Sequence, residues 1–211
     1  MLKYVIFDFD WTLVNSMKDT VKLVVDELTK IDKNLDEDYI RYVFKTTMWM
    51  SLKEQLKILF PNKMENEISD FLKKLYDKLW ALKYNLFPGA KEVILNLSKD
   101  YQLFITTWNS TQAVKKTLSR ENLLDYFSLI LGSDKLLKWP EHINEFKYFT
   151  WDDEFEKKAI YIWDWNIDYQ IAKKFGIKFV KIKDDEEGSY DYVIDNIADL
   201  LSLDIFKWKK L

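Results

Sequence analysis

The sequence of 211 residues contains no cysteine. Disulfide scaffolds, thiolate metal centres and cysteine nucleophiles are therefore excluded. A single histidine, His142, excludes poly-histidine metal sites and reads as a surface or packing residue. Apolar runs are no longer than a strand, far below the roughly 20 residues a membrane span needs, and the first residues lack a signal-peptide core. Charge of one sign is not in excess either. Lys and Arg number 32 against 35 Asp and Glu, a net charge of −3, which argues against a dedicated nucleic-acid binder. A cytoplasmic protein, monomer or homodimer, with no membrane partner is the expectation.

Glycine is the most conspicuous deficit. There are 4 glycines beside 9 tryptophans. At the usual share of about 7%, about 15 glycines would be ordinary for this length. Taken together the two counts come close to an ordinary glycine content, so the positions of the tryptophans matter. What is present suits a packed fold: 48% of residues are hydrophobic and 32% charged. The length fits one large domain, or a core with a smaller second lobe.

The patterning divides the chain. Tyr4-Val5-Ile6-Phe7 reads as a buried strand. From Ser16 the period turns helical, with Val21, Val24, Val25 and Leu28 on one face. Further helices are predicted over 36–44, over 51–60 behind a Ser51–Glu54 capping box, and over 65–82. Phe87-Pro88-Gly89 punctuates the chain. Strands are then predicted at 103–106, 129–131, 160–162, 178–182 and 192–194. Helices at 90–97, 111–118, 167–175 and 197–203 separate or follow them. Apolar strands alternating with helices imply a doubly wound, parallel α/β sheet. The expected domains are an α/β core over 1–15 and 87–211, and a helical insertion over 16–86.

In open α/β sheets ligands bind at the carboxyl ends of the strands. Strand one ends in Asp8-Phe9-Asp10, and alternation puts both carboxylates on one side. The strand at 103–106 runs into Thr107-Trp108-Asn109-Ser110. The strand at 160–162 runs into Asp164, with Asp168 four residues on, and Lys138 lies in the connection before it. Such a set suits phosphoryl transfer. One carboxylate can attack phosphorus, and a second can protonate the leaving oxygen and then activate water. The remaining acids can hold Mg²⁺, while Thr107, Asn109 and Lys138 stabilise phosphoryl charge. Each residue alone has a commonplace explanation as a turn, cap or solvated charge. Their ordered recurrence at successive strand ends does not.

These residues resemble the haloacid dehalogenase (HAD) superfamily of phosphohydrolases. Asp8-Phe9-Asp10-Trp11-Thr12-Leu13-Val14-Asn15-Ser16 is similar to its first motif, DxDGTLxxS, with Trp in the Gly slot. Thr107-Trp108-Asn109 resembles the second and Lys138 the third. Trp163-Asp164-Trp165-Asn166-Ile167-Asp168 resembles the fourth, Gly-Asp-Gly-x-x-Asp. Leu86–Gly89 is similar to the segment where a helical cap rejoins the core, the insertion resembles the all-helical cap of phosphoglycolate phosphatases and β-phosphoglucomutases, and the resemblance to the superfamily covers essentially the whole chain. It implies a Rossmann-like core with the cap inserted after strand one, and a small phosphorylated metabolite as substrate. It further implies Asp8 as nucleophile, Asp10 as acid and base, Thr107 and Lys138 on the phosphate, and Thr12 and Asn109 as phosphate-binding residues. Mg²⁺ would be held through Asp8, Asp10 and Asp164, with Asp168 in support. Arg41, Lys45 and Lys53 are cationic candidates in the cap. A sugar phosphomutase, an inactive scaffold and a phospho-acceptor module remain alternatives. In that last class the acceptor sits on the third strand, not the first.

Trp11, Trp108, Trp163 and Trp165 occupy slots where the family carries glycine, and Trp49 and Trp139 lie where glycine is plausible. Glycine suits such turns because the backbone approaches a phosphate and φ can be positive. Either native tryptophans shape an aromatic pocket, or glycine positions have become tryptophan, as when the codon UGA is read by the wrong table. Little activity is expected with tryptophan at positions 11, 163 and 165.

Overall fold

The computed structural model describes residues 1–47, 50, 52–132, 134, 136, 138, 140–163, 166–182 and 190–207, with the side chains of 17, 80, 166–168 and 171 left undescribed. The chain divides into two compact units, Met1–Asn15 with Asn85–Leu211, and Ser16–Tyr84.

The first unit is built on six parallel strands: β1 (Tyr4–Phe7), β2 (Gln102–Thr107), β3 (Phe127–Gly132), β4 (Ala159–Trp163), β5 (Lys178–Ile182) and β6 (Tyr192–Ile194). Their spatial order is β3-β2-β1-β4-β5-β6. The chain leaves β1 toward one edge and returns to its other side at β4, so the order reverses beside β1. Phe7 lies opposite Ile105 on β2 and Ile162 on β4. The Asp8 N–H donates to the Ile162 carbonyl at 3.0 Å, which carries the pairing one residue past the strand.

Period-two alternation sorts the strand side chains onto two faces. On one face Tyr4, Ile6, Phe104, Tyr161 and Phe179 pack with Ile143, Phe146, Phe155 and Ala172. These come from α7 (Glu141–Thr150), α8 (Phe155–Lys158) and α9 (Asn166–Phe175). The alternate residues Val5, Phe7, Leu103, Ile105, Ile160 and Ile162 are equally buried. The buried Val93, Ile94 and Leu97 of α5 (Ala90–Leu97) and Val114 and Leu118 of α6 (Thr111–Arg120) complete this unit's core.

Sequence patterning missed α7. Its signal is present: Pro140 stands at the N-cap, and His142, Ile143 and Phe146 form a buried stripe at helical spacing. The helix expected over 197–203 is instead a 3₁₀ helix at Ile197–Ser202. Its Asn196 cap accepts from the Ala198 N–H.

The second unit holds α1 (Met17–Ile31), α2 (Glu37–Thr46), α3 (Leu52–Leu59) and α4 (Glu65–Ala81). Asp36 caps α2, accepting from the Asp38 and Tyr39 N–H groups at 2.7 and 3.2 Å. The apolar stripes Val21-Val24-Val25-Leu28, Ile40-Val43-Phe44, Leu56-Leu59 and Ile68-Leu72-Leu75 form one core. Ser51 of the expected capping box lies outside the described residues. No described helix is long and apolar enough to cross a membrane.

Candidate active site

The carboxyl end of β1 carries the chain into a tight loop. Leu13 and Val14 N–H groups both donate to the Phe9 carbonyl, at 3.0 and 3.1 Å, and Trp11 N–H donates to Val14 at 2.8 Å. This curl sets Asp8 and Asp10 at the sheet's reversal point. Asp8 is buried, 3% exposed, and its Oδ1 accepts from Lys138 Nζ at 3.0 Å. Lys138 has no exposed surface. A fully buried ion pair adds little to stability after both groups lose water. Its place at a switch point makes it a candidate functional site.

Asp10 is held from the neighbouring strand. Thr107 Oγ1 donates to Asp10 Oδ2 at 3.1 Å, and Asn109 Nδ2 donates to Oδ1 at 3.4 Å. The Asn109 N–H in turn donates to Thr107 Oγ1 at 3.0 Å. Alternation along β2 decides between its two terminal threonines. Thr107 meets Asp10, whereas Thr106 Oγ1 lies 2.8 Å from His142 Nδ1. Asn109 precedes α6, whose Ser110 cap accepts from the Ala113 N–H.

Gly132, at the end of β3, makes room for this loop. A Cβ there would stand 2.4 Å from both the Asn109 carbonyl oxygen and the Thr111 nitrogen. Backbone on both sides cannot yield cheaply, so Gly132→Ala is expected to cost about 1–3 kcal/mol and to displace the amide that holds Asp10. Denaturant unfolding with a turnover assay checks both effects.

Of the sequence-predicted residues, direct hydrogen bonds bring Lys138 to Asp8, and Thr107 and Asn109 to Asp10, the two carboxylates standing two residues apart in the same loop. Thr12 is fully buried within the same loop, and its Oγ1 has no hydrogen-bond partner among the described residues. Asp164, Trp165, Trp49, Trp139 and the Asp168 side chain lie outside the described residues. Among the described residues no three acidic or histidine side chains converge as a cation site. The described donors still suit a hard cation in type: two carboxylates and an unsatisfied buried hydroxyl. In the helical unit, Arg41 pairs with Glu37 at 3.5 Å and Lys53 with Glu65 at 2.6 Å, both in exposed positions.

The tryptophans behave differently from one another. Trp11 has φ +65°. Trp108 is half exposed, with Lys138 Nζ 5.9 Å from its ring centre. Trp163 is not in a loop. It ends β4, is 3% exposed, and stacks on Lys138 with Nζ 2.7 Å from the ring centre. That approach is tight against the roughly 3.5–4.0 Å optimum between heavy atoms, and it closes one side of the Lys138 ammonium.

His142, expected at the surface or in packing, is fully buried. Burial, reinforced by the nearby Lys138 charge, pushes its pKa down to about 4 against the carbonyls of Leu136 and Gly132 and the charge of Glu141. Between pH 6.5 and 4 the unfolded chain therefore binds a proton that the folded chain refuses. The neutral ring's contribution is complete above pH 6.5 and is lost as pH falls toward 4, by at most about 1.4 kcal/mol per pH unit. Unfolding free energies at stepped pH should show this slope, and His142→Leu should flatten it.

The sequence model of haloacid dehalogenase-like hydrolases matches residues 5–182. The chain belongs to this family. It is 26% identical over 181 residues to a phosphoglycolate phosphatase of Aquifex aeolicus, covering 84% of this chain and 83% of that protein. Among solved structures it is similar to CbbY from Rhodobacter sphaeroides in complex with phosphate, with a TM-score of 0.73, 17% identity and coverage of 95% and 96%. It is likewise similar to the HAD-hydrolase YfnB from Bacillus subtilis bound to magnesium, with a TM-score of 0.73, 18% identity and coverage of 98% and 99%. At these identities the two structures establish the HAD fold: a parallel α/β sheet with a helical insertion after β1.

Proposed function

We propose that this HAD-family hydrolase cleaves a small-molecule phosphate monoester through an aspartyl-phosphate on Asp8. The observation that carries the reading is the Asp8–Lys138 pair beside an Asp10 oriented by Thr107 and Asn109. Asp8 Oδ attacks phosphorus and the ester oxygen departs, taking a proton from Asp10. Asp10 then takes a proton from water as that water attacks phosphorus and frees Asp8. Lys138 offsets charge on the phosphoryl oxygens, and Thr107, Asn109 and Thr12 would hold the phosphate. Mg²⁺ fits the donor types, with Asp8, Asp10 and Asp164 as ligands and Asp168 in support. It would screen the phosphate's charge from the nucleophile.

The α/β unit would be the catalytic core and the helical unit the cap. The Aquifex relative's name makes phosphoglycolate the first ester to try, and phosphate bound in the CbbY structure agrees with a phosphorylated ligand. The test is release of inorganic phosphate from phosphoglycolate and a panel of phosphate monoesters, with Mg²⁺ and with EDTA. The chain as written and its Trp11→Gly variant are both assayed. Absence of turnover from both forms on every ester would overturn the reading.

A further inference from the structure

The buried imidazole of His142 has no part in the chemistry above, yet it spans two elements that do. Its Nδ1 lies 2.8 Å from Thr106 Oγ1 on β2, and its Nε2 lies 3.1 Å from the Leu136 carbonyl oxygen. A carbonyl can only accept, so Nε2 carries the proton and Nδ1 accepts from the Thr106 hydroxyl. Both ring nitrogens are satisfied in one neutral tautomer.

Thr106 is the neighbour of Thr107, which holds Asp10. Leu136 lies two residues before Lys138, which holds Asp8. His142 itself stands in the first turn of α7, directly after the segment that carries Lys138. The ring is thus a strut between the strand end that orients one carboxylate and the segment that delivers the cation to the other. A buried polar side chain of this kind contributes little net stability, because its hydrogen bonds replace those it made to water. What its two directed bonds do supply is a fixed separation.

We propose that His142 is a positioning residue, which sets where Lys138 Nζ meets Asp8 by tying the Leu136 carbonyl to Thr106. The consequence for turnover rests on the phosphatase reading; the effect on Lys138 placement does not. A misplacement of about 1 Å in such a group can cost on the order of 10²-fold in rate.

The test uses the full chain with His142→Leu, which keeps bulk and loses both bonds, and His142→Gln, whose side-chain amide can still donate to the Leu136 carbonyl. Two readouts are taken. One is kcat and KM for phosphate-ester hydrolysis with Mg²⁺. The other is acylation of Lys138 by an amine-reactive reagent, measured by mass spectrometry relative to Lys181, which is equally buried in the same unit and reports general opening. His142→Leu is expected to lower kcat about 10- to 100-fold with KM nearly unchanged, and to raise Lys138 labelling several-fold over Lys181. His142→Gln should restore most of both.

If His142→Leu keeps the wild-type kcat and labelling ratio, or if His142→Gln is as impaired as His142→Leu, the inference is overturned. If neither the parent chain nor its Trp11→Gly variant turns over any ester, the phosphatase reading fails and the labelling ratio alone decides the role of His142. Should His142→Leu not fold, the isosteric Thr106→Val removes one of the two bonds and is read in the same way.

Discussion

Asp8→Asn is expected to abolish phosphate-ester turnover, by on the order of 10⁴-fold or more, as loss of a nucleophile does elsewhere. The amide cannot attack phosphorus, and no other described carboxylate accepts from Lys138. The substitution also removes one half of a buried ion pair. Lys138 is then left as a charge without exposed surface, which costs a few kcal/mol. Loss of activity must therefore be separated from loss of fold. Unfolding measurements give the stability change. An acid quench of the parent enzyme during turnover, followed by borohydride reduction, should convert the Asp8 acyl phosphate to homoserine, and mass spectrometry locates it. Homoserine at another position, with Asp8→Asn still active, would falsify Asp8 as nucleophile.

The second large effect is a gain. Three non-glycine residues have positive φ among the described residues: Trp11, Asn122 and Trp151. Asparagine tolerates the left-handed region, but a bulky side chain there costs roughly 1–2 kcal/mol. Trp151 is the C-cap of α7, in the left-handed conformation, and is 82% exposed. Glycine is favoured in that conformation at a helix end. Trp151→Gly loses only an exposed ring contact with Tyr148, at 5.3 Å between centroids, and should stabilise the fold by up to about 1 kcal/mol, after that loss and the entropy glycine adds to the unfolded chain, without changing turnover.

Trp11 sits between Asp10 and Thr12, and its N–H closes the loop onto Val14. Trp11→Gly should relieve similar strain and open the approach to the two carboxylates. Turnover should rise about tenfold or more, in line with the rate cost of a misplaced site. If neither substitution stabilises the fold, the two positions are not glycine sites. The gene offers a separate check. A decoding origin requires the nine tryptophans to share one codon, and a mixture would refute it. Trp163→Gly is a harder case, because it would free Lys138 but leave a cavity at a buried position beside Tyr161.

Much of the candidate site was legible in the sequence because its residues lie at strand ends. The run Tyr4–Phe7 and the acids after it announce both the central strand and the loop of the candidate carboxylates. Burial on both faces demands apolar residues along the strand, and its terminus presents the next residues to ligand. The helical stripes from Val21 to Leu75 were equally plain, since period 3.6 comes directly from one-sided burial. Helix α7 was missed because its stripe is short and starts behind Pro140, and the 3₁₀ form of Ile197–Ser202 has no signal distinct from a short helix.

Local pattern and motif order, which depend on neighbours in the chain, determined the parallel α/β class, the helical insertion after β1 and the candidate carboxylates. Tertiary structure alone decided what distant residues do to one another. It directed Thr107 to Asp10 and Thr106 to His142, buried Lys138 against Asp8 across 130 residues of chain, and turned His142 from a packing residue into a strut. The tryptophans obey the same division. Their excess over glycine is visible in composition, but only backbone conformation shows that Trp11 and Trp151 stand at positive φ, where a residue without a Cβ is at ease.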